Sequence, residues 1–231
     1  MKRRRVAVWA RVGLLALLIL PGQGGQAQAG ALERAMIGKS SIVDLTLPSS
    51  GGAAGSAEPI TRLYVAIGVP REQRTVAQIP LRDLFLLAVV VDVKDLVDRQ
   101  SDYRVSAEDL QAWERKHGRI PRRSVVLLRT GVPAIAGEGG RPLAELPGFQ
   151  PAALAFLLEQ REIRGVGQDG LMVQLAPPGS GDGTPAGRAG TVQIENLTNL
   201  DRLPPKGAKL IIAPLRLTEG SAPARVIAIL P

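Results

Sequence analysis

The chain has 231 residues, of which 29 are lysine or arginine and 21 are aspartate or glutamate. It contains no cysteine, which excludes disulfides and thiolate chemistry. Aromatic residues make up only 3% of the chain, and this leaves few rings on which bases could stack. Composition therefore argues against a nucleic-acid-binding protein.

Residues 1–29 have the pattern of a secretory signal peptide. Four positive residues follow Met1, an apolar stretch is centred on residues 12–20, and Ala27-Gln28-Ala29 supplies a cleavage site. We expect cleavage before Gly30 and a periplasmic or secreted protein with no membrane attachment. Residues 30–231 then carry 24 basic and 21 acidic side chains. An uncleaved anchor is the alternative, although a spanning helix needs about 20 apolar residues.

Strands and one clear helix are predicted over the first half of the remainder. Apolar and β-branched runs predict strands at residues 42–46, 60–67, 88–93 and 124–129. Small residues at 48–57 predict a loop. Ser106 and Asp109 form a capping-box-like helix start, and Gly118 is placed to end that helix. Its face carries Trp113 and His117.

The second half is predicted to be rich in short strands. A loop at 133–148 precedes a helix at 151–160, and a glycine-rich loop follows at 177–190. Strands are predicted at 164–167, 171–175, 191–194, 208–215 and 225–230. Strands that alternate with only two or three helices predict an α/β single domain over residues 30–231, with a mixed sheet.

Segments in a characteristic order run from residue 41 to the C-terminus. The most distinctive are Gly165-Val166-Gly167-Gln168-Asp169 and the run at 194–200, Ile-Glu-Asn-Leu-Thr-Asn-Leu. The others lie at residues 42–46, 74–81, 88–93, 106–118, 120–121, 128–131, 214–217 and 222–226. Together they resemble the cyclase family, whose best-known enzymes are bacterial kynurenine formamidases.

This resemblance implies a fold, an assembly and an activity. The implied fold is a swivelling β/β/α domain. The implied assembly is a dimer or higher homo-oligomer. The implied activity is hydrolysis of an amide-type C–N bond by a bound zinc or manganese ion.

The metal motif of the family, His-x-Gly-Thr-His-x-Asp-x-Pro-x-His, is missing from the chain. With Thr61 aligned to the threonine of the motif, the ligand positions hold Glu58, Arg62, Tyr64 and Gly68. The only histidine, His117, lies far downstream. The family has a later metal-binding histidine before the segment at 194–200, but residues 181–190 contain none. The resemblance retains only Glu195.

A hydrolytic metal site needs neutral or anionic donors and a bound water whose pKa the ion lowers to about 7. Arg62 is a permanent cation that cannot ligate a metal. We therefore predict no metal and no cofactor, with Glu195 as the candidate catalytic residue and Asp169 and Glu58 as candidate binding residues. A carboxylate-only site for Mg²⁺, Mn²⁺ or Ca²⁺, with Asp44 as a further ligand, is the alternative.

Each candidate also has a structural interpretation. Glu195 could bind the backbone of a turn, and Asp169 could form an Asx-turn at the end of its strand. His117 suits the last turn of a helix, where positive charge interacts favourably with the helix dipole. No Gly-x-Ser-x-Gly nucleophile motif is present, and Gly165-x-Gly167 lacks the third glycine of a dinucleotide fingerprint.

Three functions remain open on this basis. The leading hypothesis is an exported cyclase-family scaffold without metal chemistry that binds a small molecule or another protein. The second is an active hydrolase of a C–N bond with an altered, oxygen-based site. The third is a subunit that pairs with a catalytically complete homologue.

Overall fold

The computed structural model describes residues 38, 41–48, 60–65, 75–132, 146–171 and 191–231. The predicted signal peptide at 1–29 and the candidate Glu58 lie outside the described residues. So does the strand predicted at 171–175, from residue 172 onward.

Ten strands and three short helices make up the described chain. The strands are β1 (Ile42–Asp44), β2 (Arg62–Val65), β3 (Phe85–Asp92), β4 (Arg104–Val105), β5 (Ser124–Arg129), β6 (Gly148–Phe149), β7 (Gly165–Gln168), β8 (Val192–Glu195), β9 (Lys206–Pro214) and β10 (Ser221–Ile229). The helices are α1 (Lys94–Val97), α2 (Ala107–His117) and α3 (Pro151–Ala155), which continues as a wider π-helical turn (Phe156–Gln160). Single 3₁₀ turns lie at Val76–Gln78, Leu81–Leu84 and Leu200–Arg202.

Eight of the strands form one sheet that closes on itself. The order is β1-β10-β2-β8-β7-β5-β3-β9, and β9 pairs again with β10. Strands β3, β5, β7 and β8 run parallel, whereas the remaining pairings are antiparallel. The carboxyl ends of the four parallel strands therefore meet at one edge of the barrel, and their amino ends meet at the other. The mixed α/β fold predicted from the sequence is confirmed.

Two apolar cores lie on opposite faces of this sheet. Successive residues of β5 alternate between them, so that Val125 and Leu127 fill the barrel interior while Val126 and Leu128 pack outward against the helices. The interior leaves no room for a side chain at Gly165, where an added Cβ would lie 2.7 Å from Val192. Burial on both faces explains why the strand sequences read as continuous apolar runs.

Helix α2 forms as its sequence predicts. Ser106 and Asp109 make the reciprocal capping-box hydrogen bonds, and Gly118 ends the helix at φ 82°. The indole Nε1 of Trp113 donates to the carbonyl of Val90 at 3.0 Å, which ties the helix to β3. His117 is exposed at the last turn, with its ring 4.8 Å from that of Trp113.

A shielded ion pair joins α2 to the end of α3. The guanidinium of Arg161 donates to both carboxylate oxygens of Glu114, at 2.7 and 2.8 Å, and lies over the ring of Phe156. Both charged side chains are largely buried, at 14% and 12% exposure. The hydrogen bond from Arg161 lowers the pKa of Glu114 below its ordinary value of 4.5, despite the opposing effect of burial.

Among the described residues, no helix is long and apolar enough to cross a membrane.

Replacing Glu114 with glutamine should destabilise the fold by about 2 kcal/mol, since it leaves a shielded guanidinium without its counter-ion. Glu114 stabilises the fold in its ionised form, and folding lowers its pKa. This stabilisation is therefore complete above pH 4.5 and is lost as the pH falls through the lowered pKa. Urea unfolding at neutral and acidic pH measures both effects.

The matched control is Glu162→Gln, which breaks an ion pair with Arg122 whose side chains are 39% and 70% exposed. Exposed pairs contribute at most about 1 kcal/mol, so this variant should stay near the native stability. Equal losses in the two variants would contradict a special role for the Glu114 pair.

Candidate functional site

A polar surface lies on the outer face of β7, β8 and β2, towards the carboxyl ends of the parallel strands. Its members alternate with apolar residues that fill the barrel interior, because successive side chains of a strand point to opposite faces. We call it the polar face, and it consists of Arg62, Tyr64, Gln168, Gln193 and Glu195.

Strand pairing sets the layout of the polar face. Glu195 lies opposite Arg62, and Gln193 lies opposite Tyr64. Gly167 pairs with Ile194, so the next residues, Gln168 and Glu195, are also neighbours. Neighbouring strands lie about 4.8 Å apart, so the backbone of Glu195 lies between those of Gln168 and Arg62 at that spacing.

Glu195 is almost fully buried, at 5% exposure, and hydrogen-bonds the hydroxyl of Tyr64. Burial of the phenol, together with the negative charge and hydrogen bond of Glu195, raises the pKa of Tyr64 to about 12. Arg62 opposes this rise through its positive charge. A carboxylate, a phenol and a guanidinium therefore act on one another in this part of the surface.

Two buried amides flank this group. Gln168, at 1% exposure, donates its side-chain Nε2 to the carbonyl of Leu171, while its Oε1 has no hydrogen-bond partner among the described residues. Gln193 is buried beside Glu195 on the same strand. A buried polar atom without a partner is uncommon in native proteins. The Oε1 atom of Gln168 is thus available to a donor that the described residues do not supply.

A second pair of buried polar residues holds β2 against β8. Thr61 donates its hydroxyl to the carbonyl of Asn196 at 2.7 Å and accepts from the amide of Leu47 at the same distance. In return, the Nδ2 of Asn196 donates to the carbonyl of Ile60. These bonds fix the register that places Arg62 opposite Glu195.

Asp169 lies at the carboxyl end of β7, but its carboxylate faces the neighbouring strand. It accepts from the amides of Thr130 and Gly131 and from the hydroxyl of Thr130, all at 2.5–3.0 Å. Burial raises its pKa, against the lowering effect of these hydrogen bonds. This carboxylate joins the end of β5 to the end of β7, a different contact from the local Asx-turn considered from the sequence.

The other carboxylates considered for a metal site have separate surroundings. Asp44 forms an ion pair with Arg225 at 2.6 Å and accepts from the amide of Thr46. Burial would raise the pKa of Asp44, but these partners lower it overall. The last candidate, Glu58, lies outside the described residues.

The donors of the polar face do not fit a divalent metal ion. Its one carboxylate, Glu195, is bound to the Tyr64 hydroxyl and faces Arg62, which cannot ligate. Within the described ranges, no group of three histidine, cysteine, aspartate or glutamate side chains is arranged to hold a metal. No metal-dependent step can therefore be derived from these residues.

Sequence reasoning identified Glu195 but did not bring Gln168 and Gln193 into the site. The available signal was the period-two pattern of residues 191–195, which places Gln193 and Glu195 on one face of a strand whose other face is apolar. Pairing between distant strands, which adds Gln168 to this face, leaves no such local signal.

Replacing Glu195 with glutamine should lower the pKa of Tyr64 from about 12 toward its ordinary value of 10.0, because it removes a negative charge and its hydrogen bond. The chain has only two tyrosines, so tyrosinate absorbance during an alkaline titration resolves the change. Burial still acts on Tyr64 and should keep its pKa somewhat above 10.0.

Tyr103 provides the matched control. Burial and its hydrogen bond to Asp109 also raise its pKa to about 12. Asp109→Asn should therefore lower the pKa of Tyr103 and spare Tyr64. Circular dichroism at each pH verifies folding. If both tyrosines still titrate near pH 12 in the folded Glu195→Gln variant, the pairing of Tyr64 with Glu195 is refuted.

Comparison with known proteins bears on this geometry. The cyclase family model matches residues 64–174, which include Tyr64 and Asp169 but neither Arg62 nor Glu195. An isatin hydrolase of Roseibium aggregatum is 30% identical over 165 residues. That match covers 62% of this chain and 58% of the relative, so it spans little more than half the length of that protein.

Solved structures share the fold over most of the chain. Isatin hydrolase A from Labrenzia aggregata, bound to benzyl benzoate, superposes with a TM-score of 0.70 at 26% identity, over 88% of this chain and 99% of its own. A potential metal-dependent hydrolase with cyclase activity superposes with a TM-score of 0.58 at 22% identity, over 83% and 98%. The chain thus resembles the cyclase family of hydrolases in both sequence and fold.

Proposed function

We propose that this protein is a cyclase-family member that binds a small molecule on its polar face without a metal ion. The observation that carries the proposal is the arrangement around Glu195. Tyr64 hydrogen-bonds this carboxylate, and Arg62 lies opposite it on the neighbouring strand. In the alignment made from the sequence, both residues stand at positions where the family has metal ligands.

Electrostatics supports this proposal. At a separation of about 5 Å, a guanidinium and a divalent cation would repel each other by about 7 kcal/mol at an effective dielectric constant of 20. The positive charge of Arg62 instead attracts a negatively charged carboxylate at Glu195. The guanidinium thus supplies part of the charge compensation that a metal would give to a buried carboxylate.

The chemistry of the polar face indicates the kind of ligand. Arg62 can donate to a carbonyl or carboxylate oxygen, and the Oε1 atom of Gln168 can accept from an N–H or O–H group. Glu195 lies between them. A small planar molecule with a carbonyl oxygen and a nearby donor satisfies both, and the isatin and benzyl benzoate of the related proteins are suitable probes.

The site of action and the assembly form part of the proposal. A location outside the cytoplasm is supported by the signal-peptide pattern of residues 1–29. Homodimer formation is supported only by the resemblance to a family that forms dimers.

Metal analysis and calorimetry test the proposal on the purified protein. We expect less than stoichiometric zinc and manganese, no loss of thermal stability in a chelator, and saturable heat on titration with isatin or benzyl benzoate. Arg62→Gln should weaken that binding about tenfold, since a charge-assisted hydrogen bond is worth about 1.5–3 kcal/mol. Arg225→Gln, at an exposed ion pair on another strand, is the matched control.

A double variant tests the absence of a metal site directly. Arg62→His combined with Tyr64→Asp places two metal-binding side chains beside Glu195 and removes the cation. We expect this variant, unlike the native protein, to gain thermal stability in Zn²⁺. Tightly bound stoichiometric metal in the native protein would refute the proposal.

Active hydrolysis of a C–N bond is the second candidate, and one observation favours it. Glu195 is retained, and its burial is a common means by which enzymes adjust the basicity of a carboxylate. Under this alternative the protein hydrolyses isatin or a formamide with added Mg²⁺, Mn²⁺ or Zn²⁺, and Glu195→Gln lowers the rate at least about a hundredfold. A rate that Glu195→Gln leaves unchanged would exclude this role.

A further inference from the structure

The amino-terminal edge of the barrel, opposite the edge near Glu195, carries a small basic cavity. Its lining residues directly precede the parallel strands: Arg122 and Arg123 come before β5, Arg164 before β7 and Thr191 before β8. Glu162 and Ile163 complete the lining. The volume of about 160 Å³ is well below the roughly 300–1,000 Å³ of cavities that hold drug-sized ligands. The cavity suits a single small group.

Positive charge exceeds negative charge around this cavity. Arg122 pairs with Glu162 at 2.7 Å and Arg123 pairs with Asp83 at 2.7 Å. The third guanidinium, that of Arg164, comes no nearer than 3.9 Å to the same Asp83 carboxylate. Three arginines therefore share two carboxylates, and Arg164 retains donors that no protein acceptor uses within the described part of the chain.

Arg164 is also the most shielded of the three. Its side chain is 30% exposed, compared with 70% for Arg122. Beside it, Thr191 is buried at 1% exposure. A guanidinium and a buried hydroxyl thus line the cavity, together with the carboxylate of Glu162.

Further basic side chains lie on segments that neighbour the cavity in the chain. Lys206 donates to the carbonyl of Arg119, and the Arg119 guanidinium reaches the carbonyl of Gln160 near Glu162. Arg115 and Lys116 precede Arg119 on the exposed end of α2. None of these four basic residues forms an ion pair with a described residue. Their summed field raises the local concentration of anions at this edge.

We propose that this cavity binds one phosphate group, with Arg164 as its central donor and Arg122 and Arg123 at the rim. A planar guanidinium matches two oxygens of a phosphate, and Arg164 has the free donors for such a bidentate contact. The phosphate neutralises the positive charge of the three arginines that Asp83 and Glu162 do not balance. Free phosphate and a phospholipid headgroup share this chemistry. The site lies at the opposite edge of the barrel from the polar face and does not depend on its function.

Calorimetric titration with inorganic phosphate at constant ionic strength tests the proposal. Arg164→Gln should weaken phosphate binding about tenfold, because it removes a charge-assisted bidentate contact. Arg115→Gln removes an equal charge outside the cavity and should change the affinity less than about twofold. Arg122→Gln, at an exposed ion pair, should fold normally and weaken binding severalfold, so the test survives if Arg164→Gln fails to fold.

Two comparisons complete the experiment. Chloride at matched ionic strength should give no saturable heat. Equal heats with chloride and phosphate would overturn the proposal. Equal losses of phosphate affinity in Arg122→Gln and Arg115→Gln would also overturn it. Phosphatidylcholine vesicles with and without phosphatidylglycerol separate the two sources. Recruitment only to phosphatidylglycerol vesicles, reversed by free phosphate, identifies a headgroup site, whereas phosphate binding without recruitment identifies a site for the free ion.

Discussion

Closure of the sheet through the pairing of β9 with β10 is the constraint on which the rest of the structure depends. A closed sheet has an inside that must be filled with apolar side chains, and strand geometry then sends every second residue to the outside. On β5 the outside is covered by helices, and it is also apolar. On β8 and β2 the outside carries the polar face. The same alternation therefore produces both the second core and the candidate site.

The polar face shows how side chains of the protein itself can act as partners of a buried carboxylate. An isolated buried charge is costly, and the protein must either neutralise it or supply partners. Here Tyr64 supplies a hydrogen bond and Arg62 lies opposite with its positive charge. In the proposed function, this pair takes the place of a cation beside Glu195.

Local signals in the sequence predicted the elements well where they were strong. The capping residues Ser106 and Gly118 predicted the bounds of α2, and the β-branched run in β3 predicted a strand buried on both faces. Strand β10 begins at Ser221, before the predicted residue 225, because Ser221–Pro223 pairs with β2. Arg104–Val105 and Gly148–Phe149 pair with each other and were missed, because two-residue strands have no period to detect.

The site was only partly predictable for a related reason. Glu195 was found by resemblance, whereas its neighbours Arg62 and Gln168 come from strands about 130 and 30 residues away along the chain, brought together by sheet pairing. The hydrogen bonds of Asp169 to Thr130 and Gly131 depend on the same register. No composition or spacing rule reports a contact that exists only after the barrel has closed.

Closure also has a consequence for behaviour in concentrated solution. One side of β10 is occupied by β9, and the other is shared in succession by β2 and β1. The unpaired backbone groups of an edge strand are the usual template on which a second chain adds to form fibrils. Along β10 that template is filled by the chain itself, so growth of intermolecular β-structure from this strand requires prior local opening of the barrel.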